Sequence, residues 1–241
     1  MTARFLPSGD TGLVVQLSDV ADHAINARVR QLFEAVNASG LSGVIEAVPT
    51  YRSLLVQYDP LVTTQADLVQ AIEPLISAES TERREQVRRW ELPICCEGDD
   101  FAPDLDFMAH HASLTPKDIV EVLAETEQTV YMLGFAPGQP YLGDLPEAMI
   151  IPRRANPIPK APKGSVVTAT GKTVIYPVDN PTGWYLLGRT PVEIFRAGAA
   201  EPALFAPGDR LVFKPVSRSE FDQLEQRARQ GDYQPDPEII A

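Results

Sequence analysis

The sequence predicts an α+β protein, a small N-terminal α/β sandwich followed by a larger β-rich domain, and three observations carry that expectation. Residues 1–78 alternate strand-like and helix-like apolar periods. From Thr129 onward, short β runs cut by Gly and Pro follow one another without helices between them. A polar segment rich in both charges, residues 79–89, lies between the two patterns. It reads equally as a connector and as a solvated helix end; as a connector it puts the domains at 1–82 and 83–241.

Within the first domain, Gly12 to Leu17 reads as a strand after the turn Pro7-Ser8-Gly9-Asp10. Asp22 to Ser39 places Ile25, Val29, Leu32, Phe33 and Val36 at helical spacing, with Asp22 as cap and Gly40 as stop. Strands at Val44 to Val48 and Tyr51 to Tyr58 flank a Pro49-Thr50 turn. A second helix runs from Gln65 to Ser77 with Pro74 in its last turn. In the second domain, Trp90 to Cys95 is a strand, and helices are expected at Leu105 to Ala112 and Pro116 to Glu125. The latter opens with Thr115 as cap, Pro116 at the first helical position and Asp118 three after the cap. Strands then follow at Val130 to Leu133, Val166 to Thr170, Thr173 to Tyr176, Trp184 to Leu187 and Leu211 to Val216. This pattern suits a barrel or a sandwich, closed by a helix near Ser219 to Gln230.

Composition narrows the function classes. The chain has 241 residues with 21 Lys plus Arg against 33 Asp plus Glu, a net charge of −12, so no nucleic-acid partner is expected. No apolar run is long enough to span a membrane and MTARFLPSGD lacks a secretory core, which points to a cytoplasmic protein without a membrane partner. Cys95 and Cys96 are neighbours, unsuited to a mutual disulfide. With just three histidines (His23, His110, His111), no metal motif is present.

Seven of the 22 prolines fall between Pro137 and Pro162, so that stretch is expected to be a stiff, irregular excursion, neither helix nor central strand. It contains GFAPGQPYLG, Gly134 to Gly143. Its glycines, prolines, Phe135 and Tyr141 fit a pre-organised binding surface and fit equally an Ω-like loop packed on its own aromatics. Gly171-Lys172-Thr173 is no phosphate loop, because Val166 stands where the first glycine belongs and a strand follows instead of a helix. No Gly-x-Ser-x-Gly or Gly-x-Gly-x-x-Gly occurs.

The runs GFAPGQPYLGDLPE, LPSGDTGLVVQL, PTYRSLLVQYDP, SVVTATGKTVIYP and GWYLLGRTP together closely resemble the carboxyltransferase subdomain C and D family, over about Arg4 to Val216. That family takes in the B subunit of bacterial 5-oxoprolinase, the KipI-type kinase inhibitors and proteins labelled allophanate hydrolase subunit 1. The resemblance implies a cyclophilin-like β-barrel as the second domain. It also implies two partners, a homologous C subunit plus an A subunit, with ATP-driven opening of 5-oxo-L-proline to L-glutamate by the complex. ATP would activate the stable ring carbonyl by phosphorylation, a step that needs cationic positioning groups.

Several positions depart from the family pattern. Gln139 stands for a usual Phe; Thr170, Lys172 and Val174 replace Gly, Gln and Gly; Leu123 replaces a His and Ile158 an Arg; Thr182 replaces a Gly; and Lys163 replaces a small residue. The expected site comprises Lys172 and Arg189 as catalytic groups, with Arg52, Phe135, Tyr141, Arg153, Arg154, Tyr176 and Trp184 binding substrate. Ser165 has no histidine near it in sequence and is expected to be structural. The departures keep two rivals open: a KipI-like inhibitor of a sensor histidine kinase, and a non-catalytic partner that completes the C subunit.

Overall fold

A computed structural model of the chain describes residues 3–76 and 86–240, so residues 79–85 of the expected connector lie outside the described residues. The chain divides into two compact units, Met1–Glu85 and Gln86–Ala241.

The first unit holds β1 (Arg4–Pro7), β2 (Gly12–Gln16), α1 (His23–Ser39), β3 (Val44–Pro49), β4 (Ser53–Tyr58) and α2 (Gln65–Ile76). Its strands form one antiparallel sheet in the order β1-β2-β4-β3. Alternate residues Leu13, Val15, Leu54 and Val56 meet Val29, Leu32 and Val36 of α1 and Leu68 and Ile72 of α2 in one buried core. The helix starts where a cap allows it: the Asp22 carboxylate accepts from the Ile25 N–H at 2.8 Å, and Gly40 ends it at φ 59°. The strand β1 was not expected. Its four residues carry no clear alternation, and it is held by its ladder to β2, Arg4 opposite Gln16 through Pro7 opposite Leu13.

The second unit is built from β5 (Val87–Ile94), α3 (Leu105–Ala112), α4 (Pro116–Glu125), β6 (Gln128–Leu133), β7 (Pro140–Leu142), β8 (Ile158–Ala161), β9 (Ser165–Ala169), β10 (Lys172–Ile175), β11 (Asn180–Thr182), β12 (Tyr185–Arg189), β13 (Arg210–Pro215), α5 (Arg218–Gln230) and β14 (Glu238–Ile240). Both capping boxes form, at Thr115/Asp118 for α4 and at Ser217/Glu220 for α5. The main sheet has eight strands in the order β12-β9-β10-β7-β6-β13-β5-β14, and β8 pairs with β11 apart from it. The β13–β5 pair is parallel.

Two expectations need correction. The sheet is not closed into a barrel by strand ladders. Among the described residues, the edge strand β12 reaches the end of β5 through an isolated bridge, where Cys95 and Arg189 exchange hydrogen bonds of 2.8 and 2.9 Å. Pro93 in β5 and Pro191 just beyond β12 lack the donors a continuing ladder needs, and β14 takes the edge of β5 at Val87–Arg89 instead. The proline-rich stretch, in turn, does contribute an interior strand. The three-residue β7 lies between β10 and β6, with Pro140 at its first position, where a missing donor is tolerated.

No helix among the described residues is long and apolar enough to cross a membrane.

Candidate functional site

The alternation of side chains along β7, β9, β10 and β12 gives the sheet two different faces. Leu142, Val166, Ile175, Tyr185 and Leu187 point into the main core, while Val167, Ala169, Val174, Tyr176, Trp184 and Leu186 form a separate cluster on the other face, with Tyr141 packed against it. Three of the expected substrate-binding aromatics are therefore brought together. Tyr141 and Trp184 meet edge to face with ring centroids 6.3 Å apart. The Tyr176 hydroxyl lies 2.6 Å from the Thr182 hydroxyl, whose oxygen also accepts from the Trp184 backbone N–H at 2.9 Å. Thr182 thus fixes two site aromatics at once, which a glycine in its place would leave unheld.

Lys172 opens β10 opposite Ala169 and, by the two-residue period, shares this face with Val174 and Tyr176; it is half-buried. It follows a tight turn in which Thr170 (φ 53°) and Gly171 (φ 73°) are both left-handed, the geometry of a two-residue hairpin. The Gly171-Lys172-Thr173 triplet is thereby a strand connection and offers no phosphate cradle. Arg153 is exposed, and its charge favours the ionised forms of both Tyr141 and Tyr176. Burial outweighs it and pushes both phenols above their ordinary value, so at neutral pH they are protonated hydrogen-bond donors.

Other expected residues are placed elsewhere. Arg154 pairs with the buried Asp104, donates to the Trp184 carbonyl at 3.3 Å and stacks 4.6 Å over Tyr185. It ties the start of α3 to β12. Arg189 donates to the Lys163 carbonyl at 2.9 Å and to Glu225 at 3.2 Å, and lies over Phe101 and Phe221. Those contacts tie Arg189, expected as a catalytic group, to Glu225 and Phe221 of α5. Phe135 stands at the tip of the 134–139 hairpin, 78% exposed and at φ 68°, a backbone region that bulky side chains avoid. Gly138 in the same tip is left-handed at φ 70°, and a Cβ there would come within 2.8 Å of Phe195. Arg52 is exposed in the first unit and donates to the Asp19 carbonyl.

Gln139 was singled out only as a departure from the family pattern. It is 2% exposed, hydrogen-bonded to Tyr141, and its Oε1 is buried without a partner among the described residues. Sequence could have flagged it only as a polar residue inside an otherwise Gly, Pro and aromatic run. No grouping of metal-ligand side chains occurs among the described residues. Ser165 is buried. Burial raises the Cys95 thiol and pushes Cys96 up to about 12, so neither is a poised thiolate.

The face therefore carries Tyr141 set edge to face on the buried Trp184, the buried Tyr176, an exposed guanidinium at Arg153 and a lysine at the strand entry. That set suits holding a small polar ring and suits no covalent nucleophile.

The profile of the family described as "Carboxyltransferase domain, subdomain C and D" matches residues 3–205. The chain is 32% identical over 238 residues to the B subunit of 5-oxoprolinase from Bacillus subtilis (strain 168), covering 92% of this chain and 97% of that one. It is 34% identical over 213 residues to the B subunit of 5-oxoprolinase from Escherichia coli O157:H7, covering 88% and 96%. The crystal structure of the K. lactis urea amidolyase superposes with a TM-score of 0.82 at 20% identity, covering 99% of this chain and 16% of that one, a likeness of fold.

Proposed function

The chain belongs to the carboxyltransferase subdomain C and D family, and on that premise we propose that it is the B subunit of a cytoplasmic ATP-dependent complex that opens 5-oxo-L-proline to L-glutamate. Its partners on this reading are a homologous, carboxyltransferase-like C subunit, together with an A subunit. The observation that carries the reading is the match to two proteins so named over nearly their whole lengths.

The second unit then serves as a cyclophilin-like scaffold whose aromatic face receives the ring. Trp184 and Tyr141 form its walls, and Arg153 attracts the substrate carboxylate. The protonated phenols of Tyr141 and Tyr176 donate to carbonyl oxygen, polarising it for attack. Lys172 supplies positive charge at the end of the same face where negative charge develops on ring opening. Nucleotide supplies the driving force to the complex. The Gly171-Lys172 pair that resembles a phosphate loop forms a hairpin turn and offers no phosphate cradle. ATP enters this reading as the nucleotide of the assembled complex. Phe135, held outward by a strained backbone, is offered as a contact for the C subunit.

The test is reconstitution. The A and C subunits with this chain should form glutamate from 5-oxoproline and ATP, and omission of this chain should abolish it. A pull-down that recovers a sensor histidine kinase and no carboxyltransferase-like protein would favour the inhibitor.

A further inference from the structure

Gln139 sits where the 134–139 hairpin enters β7, and the phenol of Tyr141 and the buried Oε1 of Gln139 together define a polar spot on the aromatic face. Since Oε1 has no partner among the described residues, the bond between the two side chains runs through Nε2–H, and the amide keeps a bare acceptor and a second N–H. An unpaired buried acceptor is costly, and an apolar residue would fill the position without one.

The pattern has a specific complement. A carboxamide that shows one acceptor and one donor side by side pairs with a ligand amide whose N–H and C=O lie on the same edge, through two hydrogen bonds. Open-chain secondary amides are trans and show these groups on opposite edges. Ring lactams, cyclic ureas and unsubstituted ureas show them on one edge. We propose that Gln139 reads this edge, so that the face takes cis-amides with a free N–H and rejects N-substituted ones. The inference rests on the reading of the aromatic face as the substrate site and adds the feature by which substrate is chosen. Because Oε1 is buried, the inference requires the hairpin tip that carries Phe135 and Gly138 to lift when a ligand binds.

The experiment compares wild type with Gln139→Met, which keeps length and removes both polar groups, in the reconstituted complex. 5-Oxo-L-proline, its N-methyl derivative and hydantoin are measured for binding by calorimetry and, where turned over, for kcat and KM. Wild type should prefer 5-oxoproline to the N-methyl compound by at least about tenfold. Gln139→Met should lose that preference, with KM for 5-oxoproline raised about tenfold or more, the KM for ATP unchanged and a melting temperature no lower than wild type. If Gln139→Met does not fold, Gln139→Phe, carrying the residue usual there in the family, should show the same loss of preference. Unchanged preference in a folded variant overturns the inference while leaving the proposed activity standing. Hydantoin binding that depends on Gln139 in a complex that opens no 5-oxoproline would sink the activity and keep the inference. Binding of no cis-amide by wild type overturns it.

Discussion

Two arginine-bearing regions of the second unit look alike in sequence and differ in the structure. Around Arg189, each charge has been paired: the guanidinium meets Glu225 and a carbonyl, and it shares the rings of Phe101 and Phe221 with the last helix, while Arg218 stacks 4.0 Å over Phe101. On the aromatic face Arg153 is exposed, two phenols are held as neutral donors, and an amide oxygen is buried with no partner among the described residues. A region whose polar groups satisfy one another contributes stability, whereas one with an exposed guanidinium and a buried oxygen lacking a partner among the described residues keeps groups for a ligand. The comparison predicts that substitutions in the first region change folding and those in the second change turnover.

The largest effect expected is at Lys172. Lys172→Ala should lower kcat of the reconstituted complex at least about 100-fold, since loss of a single stabilising charge at a reacting centre has that scale, with the melting temperature unchanged. Unaltered turnover would remove Lys172 from the site. Next, Arg189→Ala should destabilise by about 2 kcal/mol, because Glu225 and the Lys163 carbonyl lose a half-buried charged donor. Read as a lower urea midpoint, this should come with unchanged KM and kcat per folded complex; a selective loss of kcat would return Arg189 to the catalytic groups. A smaller change, in the other direction, is expected at the hairpin that presents Lys172. Thr170 holds φ 53°, and Thr170→Gly should stabilise by about 1 kcal/mol in the same urea assay.

Tyr141 and Tyr176 provide a pH signature. Burial raises their folded-state pKa above the unfolded value of 10.0, so the stability they contribute is complete below pH 10 and falls as pH rises beyond it. Wild type should lose stability faster above pH 10 than a Tyr141→Phe/Tyr176→Phe variant, and parallel curves would contradict the burial of the phenols.

Much of the fold was legible because its signals are local. Asp22, Gly40 and the Thr115-Pro116-Asp118 box end helices through groups within a few residues of each other, and the five helices appear where these signals put them. The strands β1, β7, β8, β11 and β14 were missed because short segments with no clear alternation are made strands by distant partners. The site shows the same division. The aromatic trio was legible from residue type, since Tyr141, Tyr176 and Trp184 needed only the strand period to share a face. The roles of Arg154 and Arg189 were not, because Asp104 and Glu225 lie 50 and 36 positions away in the chain. Neither was the orphaned oxygen of Gln139, since the lack of a partner is a property of the packed state alone.

The central claim, that this chain is the B subunit of an amide-opening complex, is tested most directly by glutamate release from 5-oxo-L-proline and ATP with the purified chain added to or withheld from the A and C subunits. The account predicts release only when all three are present, and its loss with Lys172→Ala. Equal release without this chain, or none with it under conditions where the three proteins co-purify, would contradict the account.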